Sequence, residues 1–443
     1  MGNTLPDILI FGASGLIGEA VARHLVREGF RVVPVARHFT AAQKSAFDER
    51  AVELPILGLG QERLAALLSD QKADIVVNCI GVLQDSSRSG PVDDAHGGFA
   101  RRLVAAIAGA ARSCLLIHVS IPGRSEEDST AFSRSKREAE RIISGSANPF
   151  VILRPGFVIA PAAYGGSALI RALAALPVQL PEALASRSFA STDADDIART
   201  IAVTARRWQG GERQWCATWD VMERDPSTVG QVVEAFRLHF GGPDPRLRLP
   251  SWLMKLGALA GDLVARLGWS PPIRSTALAE MQRGISGDPG PWIEVIGIAP
   301  SSLEETLARI PPSVQEKWFA RLYILKPLVI GLLALFWIVS GLIALTVTFS
   351  EASAILTGSG MSAPVAQALT VITSLADILV GVAITSRRTC RVGLLAGIAL
   401  SILYLLAATI VTPALWIEPL GALVKIAPVI ALMLVALAIS GNR

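Results

Sequence analysis

The chain has 443 residues, of which 51% are hydrophobic and 18% charged, and its formal net charge is +4. This composition excludes disordered and collagen-like proteins and is too apolar for an ordinary soluble enzyme. The small net charge, without a basic helix or an aromatic-studded basic patch, argues against nucleic acid as a partner, and the scattered cysteines and histidines predict neither a disulfide framework nor a metal site.

The first predicted elements are a short apolar strand, a glycine-rich turn and an amphipathic helix, within DILIFGASGLIGEAVARHLVREG at residues 7–29. Glycines at these spacings permit a tight turn, close approach to a pyrophosphate and close packing of the helix on the strand. The free N–H groups at the helix N-terminus also favour an anion. We therefore predict a dinucleotide site. Its predicted contacts in this segment are Gly12, Ser14, Gly15, Leu16, Ile17 and Gly18.

A second predicted strand, RVVPVAR, ends at Arg37. NAD-binding sites usually place an acid there for the ribose 2′-hydroxyl, whereas a guanidinium suits a 2′-phosphate. We therefore predict NADP(H) as the cofactor, with NAD as the alternative, and place His38 on the adenine side. The other interpretation of Arg37 is a solvated surface arginine.

From this point the sequence resembles the short-chain dehydrogenase/reductase superfamily in its extended or atypical branch, over residues 7–310. The turn GASGLIG matches the GxxGxxG of that branch, and DIVVNCIG at residues 74–81 is similar to the fourth strand. The resemblance implies an α/β fold, a doubly wound parallel Rossmann sheet with a small substrate lobe. It also implies that Asn78 and Gly81 lie beside the cofactor.

The same resemblance extends to the catalytic segments. LLIHVS ends at Ser120, where the family's catalytic serine would lie, and FSRSKREAE aligns with the YxxxK helix. This alignment implies that Lys136 binds the nicotinamide ribose, as both a catalytic and a cofactor-binding residue. The implied catalytic residues are therefore Ser120 and Lys136.

Two later segments complete the resemblance. VILRPGFVIAP is similar to the strand and loop, Arg154 to Pro161, that closes over the nicotinamide, which implies a cofactor contact at Pro155. STDADDIART is similar to an acidic segment of the second lobe and contains Asp195 and Asp196.

The chain departs from the family at the catalytic tyrosine, whose position is occupied by Phe132. A tyrosine donates the proton to a carbonyl under reduction, and phenylalanine cannot do so. Tyr164 is the one other tyrosine predicted near this pocket. Hydride transfer to a quinone or an activated double bond remains open, because the proton could come from water. The atypical branch also contains non-catalytic NADPH-binding members, among them an accessory subunit of respiratory complex I.

We predict a Rossmann domain over residues 1–205, a substrate lobe over 206–315 and a membrane domain over 316–443. Within the lobe, residues 249–269 carry Lys255, Asp262 and Arg266 on one helical face, with apolar residues on the others. This segment is predicted either to lie on the membrane surface or to be buried in the lobe.

Only eight of the 78 charged residues lie in residues 327–443. Four apolar segments there are each near the roughly 20 residues needed to cross a bilayer: about 326–348, 364–386, 391–412 and 418–440. The DoxX-like family of four-helix membrane proteins is similar in topology and in a loose pattern, KPLVIGLLALFWIVSGLIAL and SLADILVGVAI. The chain is therefore predicted to join an α/β front to an all-α four-helix transmembrane bundle.

Basic residues precede the first predicted span and fill the second connection, whereas the first and third connections carry Glu351 and Glu418. By the positive-inside rule, both termini and the front then face the cytoplasm. No secretory signal peptide is recognised, so the predicted location is the inner (cytoplasmic) membrane. The basic residues are Lys317, Arg321, Lys326, Arg387, Arg388, Arg391 and, at the end of the chain, Arg443.

Two ionisable residues, Asp377 and Lys425, lie inside predicted spans. Such groups are costly in a membrane and are usually paired or functional. We favour a structural ion pair between them over a proton or substrate site beside a quinone.

The leading functional prediction is a membrane-anchored NADP(H)-binding oxidoreductase acting on a lipophilic small molecule, such as a quinone, delivered among membrane lipids. The alternative, motivated by Phe132, is a non-catalytic NADP(H)-binding redox sensor or assembly factor with a membrane complex as its partner. Transport gated by the cofactor through Asp377 and Lys425 is a third prediction.

Overall fold

The computed structural model describes residues 5–85, 90–110, 112–269, 271, 273–417, 421 and 423–441. The chain divides into two compact units, which are described in turn. The first comprises residues 1–261 and 272–317, and the second comprises residues 262–271 and 318–443. Glu418 and Arg443, which the sequence analysis used for the orientation, lie outside the described residues.

The first unit is built on a seven-stranded sheet in which every strand pairing is parallel. The strands of this unit are β1 (Asp7–Phe11), β2 (Arg31–Ala36), β3 (Val52–Glu53), β4 (Ile75–Asn78), β5 (Leu115–Val119), β6 (Phe150–Pro155), β7 (Phe157–Ile159), β8 (Val178–Gln179), β9 (Ser191–Asp193), β10 (Cys216–Val221) and β11 (Leu247–Arg248). The order in the large sheet is β10-β6-β5-β4-β1-β2-β3, the doubly wound order with one strand added at the end. This confirms the predicted fold class.

Helices cover both faces of the sheet, which explains why its strands are continuous apolar runs. The helices of this unit are α1 (Leu16–Arg27), α2 (Ala41–Phe47), α3 (Gln61–Asp70), α4 (Phe99–Ala108), α5 (Ala131–Ser144), α6 (Gly165–Ala174), α7 (Glu182–Ala185), α8 (Ala194–Gln209), α9 (Val229–Phe240), α10 (Ser251–Arg266), α11 (Ser275–Arg283), α12 (Gly290–Ile296) and α13 (Leu303–Ala308). Ile8 and Ile10 pack with α1 and α8 on one face, whereas Leu9 and Phe11 pack with α3, α4 and α5 on the other.

A smaller lobe has a separate hydrophobic core between α6, α9 and α13. Its residues interleave with the sheet domain in sequence, because β6 and β10 belong to the large sheet while the segments between and after them build the lobe. Arg171 of α6 is fully buried in this lobe, where it donates a hydrogen bond to Ala160 O (2.7 Å), contacts the rings of Phe236 and Phe240, and pairs with Glu316.

The second unit contains α14 (Val314–Thr346), α15 (Phe349–Gly358), α16 (Ala363–Thr385), α17 (Cys390–Val411) and α18 (Ile426–Ile439). Three of them, α14, α16 and α17, are long and apolar enough to cross a membrane. The fourth predicted span, about 418–440, begins in residues that are not described, and α18 has 14 residues. The fourth crossing therefore stays a prediction. Helix α15 lies where the sequence analysis expected a connection.

Small residues bring the membrane helices close together, as expected where backbones approach without a hydrophobic driving force. A Cβ at Gly341 of α14 would lie 2.5 Å from Ser374 O of α16, and one at Gly393 of α17 would lie 2.9 Å from Ile384 N. The prediction of an ion pair between Asp377 and Lys425 was wrong. Asp377 instead accepts a hydrogen bond from the Tyr404 hydroxyl (2.8 Å), and no salt bridge joins Asp377 to Lys425, which directly precedes α18.

Candidate functional site

The first half of the candidate site is the turn between β1 and α1, and it is made of backbone. Gly12 adopts φ +79°, and its N–H donates to Val35 O of β2 (3.0 Å). A side chain at Gly12 would be strained in this left-handed conformation. Gly15 caps α1 without a side-chain hydrogen bond, so the first N–H groups of the helix remain available to an anion.

Gly18 fixes the close packing of α1 on this turn. A Cβ there would lie only 2.3 Å from Gly12 O, a distance that no real contact allows. Glycine is therefore required so that the helix N-terminus can approach the turn. The predicted residues Ser14, Leu16 and Ile17 lie in the same turn and first helical turn, each half-buried.

The end of β2 lies beside this turn, as the shared hydrogen bonds of Gly12 and Ala13 to Val35 O require. Arg37 and His38 follow β2 directly and are exposed. The sequence analysis missed Gln43 of α2, a buried side chain that donates to Ser14 O (3.3 Å) and so ties α2 to the glycine turn. The capping box of Thr40 and Gln43 was the signal for this helix start.

The second half of the site lies where β4 and β5 end. Asn78 is buried; its Oδ1 accepts from Ile80 N (3.1 Å), and its amide nitrogen contacts His118 Nδ1 of β5 (3.1 Å). Burial, followed by the nearby Lys136 charge, holds the pKa of His118 well below its usual value, so this imidazole is neutral. Gly81 follows on the surface, and a Cβ there would meet nothing within 4 Å.

Lys136 of α5 is the central cation of this half. Its ammonium donates to Ile80 O and to Val119 O, at 2.8 Å each, and its side chain is 3% exposed. Burial lowers the pKa of Lys136 to about 8. Ser120 follows Val119, and its Oγ is buried without a well-aligned hydrogen bond within the described residues.

Phe132 lies one helical turn before Lys136 and packs edge-on against His96, with 5.6 Å between ring centroids. His96 Nε2 accepts from Val82 N (3.0 Å), which leaves the ring proton on Nδ1, facing Ser135 Oγ (2.7 Å). Burial first, then the Lys136 and His118 charges, lowers the pKa of His96 to about 2. His96 is therefore a neutral ring held in one tautomer, and sequence reasoning missed it.

A buried ion network lies behind Lys136 on the same helix and was also missed. Glu140 receives a two-pronged pair of hydrogen bonds from Arg154 (2.8 and 2.6 Å) and pairs with Arg137 (3.2 Å). Burial alone would raise the pKa of Glu140, but the hydrogen bonds and charge of Arg154, together with the charge of Arg137, lower it overall. The Ser120 hydroxyl contributes to the same lowering.

This network fixes the position of α5 relative to neighbouring loops. Arg137 also pairs with Asp128 (2.9 Å) and donates to the carbonyls of Ile121 and Pro122, at 2.9 and 2.8 Å. Arg283 of α11 reaches the same Asp128 carboxylate (3.4 Å). The helix that carries Lys136 is therefore held both to the strand ends and to the small lobe.

The remaining predicted residues have structural partners. Asp195 pairs with His24 of α1 (2.7 Å), and Asp196 accepts from Ser301 N (2.8 Å), so both join α8 to its neighbours. Pro155 ends β6 and is buried. Tyr164 directly precedes α6, where its N–H donates to Ser167 Oγ (2.9 Å).

The residues present fit a dinucleotide. The start of α1, with no side-chain cap, lies close against the glycine turn because Gly18 has no Cβ. At the strand ends, His118 Nε2 is a buried polar atom without a hydrogen-bond partner in the described part of the chain, and Ser120 Oγ lacks a well-aligned hydrogen bond there. In that part of the chain no group of three or more His, Cys, Asp or Glu residues could hold a metal ion.

Comparisons with known proteins agree with this geometry. Residues 8–207 match the NAD dependent epimerase/dehydratase family, and residues 334–434 match the DoxX-like family. The comparison with curated proteins gave no match.

Solved structures share the fold of the front at low identity. UDP-glucuronic acid 4-epimerase from Bacillus cereus, in complex with UDP-glucuronic acid and NAD, covers 72% of this chain and 100% of its own, with TM-score 0.51 and 15% identity. Human epimerase family protein SDR39U1 with NADPH covers 70% and 100%, with TM-score 0.52 and 16% identity. Bordetella bronchiseptica WbmH in complex with NAD+ covers 69% and 96%, with TM-score 0.51 and 16% identity.

The parallel sheet of the first unit agrees with the match to the epimerase/dehydratase family. The apolar helices of the second unit agree with the match to the DoxX-like family. The chain therefore joins a Rossmann domain that is similar to the NAD dependent epimerase/dehydratase family to a C-terminal domain that is similar to the DoxX-like family, whose apolar helices indicate a membrane protein.

Proposed function

We propose that this protein is a membrane-anchored NADP(H)-binding oxidoreductase that reduces a lipophilic substrate such as a quinone. The observation that carries the proposal is the placement of Lys136. Its ammonium is held at the ends of β4 and β5 by Ile80 O and Val119 O, and parallel strands present these ends at the sheet edge where the glycine turn also lies. A buried cation fixed there suits the ribose of a dinucleotide.

The chain's own residues divide the binding work. The glycine turn and the first N–H groups of α1 would hold the pyrophosphate, Arg37 the 2′-phosphate, and Lys136 with Ser120 the nicotinamide ribose. Asn78, Gly81 and Pro155 would border the nicotinamide end. When bound, NADPH supplies a hydride from C4 of its nicotinamide.

The missing tyrosine selects the substrate class. Phe132 has no proton to donate, and the neighbouring His96 remains neutral because its pKa is about 2. A quinone that accepts one hydride needs only one further proton to become the quinol, and solvent can supply it. NADPH, a proton and the quinone then yield NADP+ and the quinol.

A second candidate function is an NADP(H)-binding sensor or assembly factor without catalysis. It rests on the same packing of Phe132 against His96, which places an apolar ring at the family's proton-donor position. In this case Ser120 and Lys136 serve as cofactor contacts only, and a membrane complex is the expected partner.

Quinol formation separates the two functions. The full chain is reconstituted in lipid nanodiscs and mixed anaerobically with NADPH and a short-chain quinone, and quinol is measured by chromatography. Turnover that disappears in Lys136→Met supports the oxidoreductase. Saturable NADPH binding without quinol overturns it and favours the sensor.

A Phe132→Tyr variant adds an independent readout. If the site is otherwise complete, the new hydroxyl gives carbonyl reduction that the parent chain lacks. Absence of this gain while NADPH still binds favours the binding role.

The proposed sidedness places the Rossmann domain and both termini in the cytoplasm, with the membrane domain in the inner membrane. It is supported by the basic residues of the α16–α17 connection, Arg387 and Arg388, under the positive-inside rule. Cys216 is exposed on β10. A membrane-impermeant maleimide should therefore label Cys216 in inside-out vesicles and leave it unlabelled in right-side-out vesicles, and the reverse pattern contradicts the orientation.

A further inference from the structure

Helix α10 carries an exposed apolar stripe along its full length. Trp252, Leu256, Leu259 and Leu263 recur every three or four residues, so they lie on one side of the helix. Trp252 is 65% exposed, Leu259 64% and Leu263 62%. Stripes of this size on a folded protein mark an interaction surface.

The opposite side of α10 is already packed. Ala258 and Gly261 are buried, and a Cβ at Gly261 would lie 1.9 Å from Ile273 O. Met254 packs against the core of the small lobe. One face of the helix therefore packs against the protein, and the stripe lies on the exposed face.

Charged residues border the stripe along one flank. Lys255, Asp262 and Arg266 are seven and four residues apart, so they share a line between the exposed stripe and the packed face. An apolar side bordered by charged residues is typical of a helix that lies in a membrane interface. Long basic side chains can also extend from such a position toward lipid headgroups.

Residues 267–269, which follow α10 and belong to the second unit, are hydrogen-bonded to the end of a membrane helix of that unit. The indole of Trp269 donates to Thr385 O (2.7 Å), and Arg387 N donates to Leu267 O (3.2 Å). Thr385 is the last residue of α16, a candidate span. Residues 267–269 therefore lie at the level where hydrocarbon gives way to headgroups, and tryptophan is enriched at that level.

We propose that α10 is an interfacial helix that inserts its stripe, Trp252, Leu256, Leu259 and Leu263, into the adjacent lipid leaflet. The occupant is lipid because one end of the stripe is continuous with the membrane boundary defined by α16. The 16 residues of α10 extend about 24 Å, so the helix would cover that length of bilayer surface. This inference does not depend on the proposed catalytic function.

Site-directed spin labelling tests the proposal in the full chain, reconstituted in vesicles of phosphatidylethanolamine and phosphatidylglycerol. Cys216 is the exposed native cysteine, so Cys216→Ser serves as the parent, and its residual labelling is subtracted. Single cysteines then replace Leu256, Leu259 or Leu263. Collision rates are measured with oxygen, which concentrates in lipid, and with a nickel chelate, which stays in water.

Two further positions calibrate the readout. Leu238 of α9 is 74% exposed and is not part of the stripe, so it serves as the aqueous control, and Leu332, within the α14 span, serves as the lipid control. We expect the oxygen-to-nickel ratio at all three stripe positions to exceed that at Leu238 by at least about fivefold, as for a helix lying in an interface.

Three outcomes overturn the proposal. Stripe labels that respond like Leu238 place the helix in water. Labels shielded from both reagents show that a protein surface, such as a second copy of the chain, covers the stripe. A lipid signal at Leu263 with an aqueous signal at Leu256 shows a helix that rises away from the membrane.

Discussion

The two halves of the candidate site are built in different ways. The phosphate half, which is the turn between β1 and α1 with the start of α1, is made of backbone. Gly12 is left-handed, Gly18 has no Cβ to meet Gly12 O, and α1 begins without a side-chain cap. The nicotinamide half, which lies where β4 and β5 end, is made of buried side chains. Lys136 donates hydrogen bonds at both strand ends, and Glu140 pairs with Arg137 and Arg154.

This difference explains why the two halves tolerate substitution differently. A backbone cradle depends on the absence of side chains, so any larger residue at its glycines removes it. A side-chain cluster keeps most of its contacts when one position changes. Under the proposed function, the glycine turn binds the cofactor, whereas Phe132 stands where the family that the sequence resembles has its proton-donating tyrosine.

The largest effect on NADPH affinity is expected when a side chain is placed at Gly18. In Gly18→Val, the new Cβ would meet Gly12 O, which lies 2.3 Å from its ideal position, so the turn must open. We expect NADPH affinity to fall by at least about a thousandfold, the loss of a helix-terminus phosphate site. Isothermal titration measures it.

Gly58→Ala is the matched control for this substitution, because a Cβ at Gly58 meets nothing within 4 Å. Unchanged NADPH affinity is expected there. If Gly18→Val binds as tightly as Gly58→Ala, the phosphate half has been assigned to the wrong turn.

The next effect concerns the stability of the nicotinamide half. Glu140→Gln removes the charge shared by Arg137 and Arg154, and breaking a buried pair costs about 3–5 kcal/mol of unfolding free energy. The stabilisation is present at neutral pH and is lost as pH falls through the lowered pKa of Glu140. Urea unfolding of the reconstituted chain, followed by tryptophan fluorescence, measures both.

Glu138→Gln provides the comparison, since Glu138 pairs with Arg101 and Arg141 at the surface of the same helix. A surface pair contributes about 1 kcal/mol or less. Equal losses in the two variants would mean that the buried network does not stabilise α5.

Lys136→Met is expected to lower NADPH affinity by about ten- to a hundredfold, the loss of one charge-assisted contact. In the parent chain, affinity should also decline as pH rises through about 8, the pKa of Lys136, because the ammonium loses its proton there. Between about pH 8 and the ordinary lysine pKa of 10.5, the folding penalty of burying that charge falls away, so the stability contributed by this group rises with pH.

The measurement is an NADPH fluorescence titration between about pH 6.5 and 9.5, a range that brackets the lowered lysine pKa. The Lys136→Met variant should give a curve without the step near pH 8. A step that persists in this variant assigns the titration to another group.

The smallest effect is expected on the preference between NADPH and NADH. Arg37→Glu should reverse the preference between NADPH and NADH by about tenfold or more, because a carboxylate repels the 2′-phosphate and accepts from a ribose hydroxyl. Competition between the two cofactors on one sample measures the ratio. An unchanged ratio would mean that Arg37 is a surface arginine without contact to the cofactor.

Local patterns predicted the elements that depend on local interactions. The strand, glycine turn and helix of residues 7–29 follow from spacing alone, and the membrane helices follow from length and apolar composition. His96, Gln43 and Glu140 could not be predicted in this way. Their roles arise from partners far along the chain, Val82 and Ser135 for His96, Ser14 for Gln43 and Arg154 for Glu140.

The Asp377–Lys425 pair shows the opposite limit. Two opposite charges inside predicted spans favoured a contact between them, but their positions in the sequence do not specify which helix faces are opposed. Helix α17 presents the Tyr404 hydroxyl to Asp377, and Lys425 lies before the start of α18.

Transfer of deuterium from the nicotinamide distinguishes the oxidoreductase from the sensor. The reconstituted chain is incubated with a membrane-lipid extract and NADPH carrying deuterium on one or the other face of C4, and every component is analysed by mass spectrometry. For an oxidoreductase we expect transfer from one face only, into a lipophilic acceptor, and loss of this transfer in Lys136→Met. Tight NADPH binding with no deuterium in any component would contradict the oxidoreductase and leave the cofactor-binding sensor.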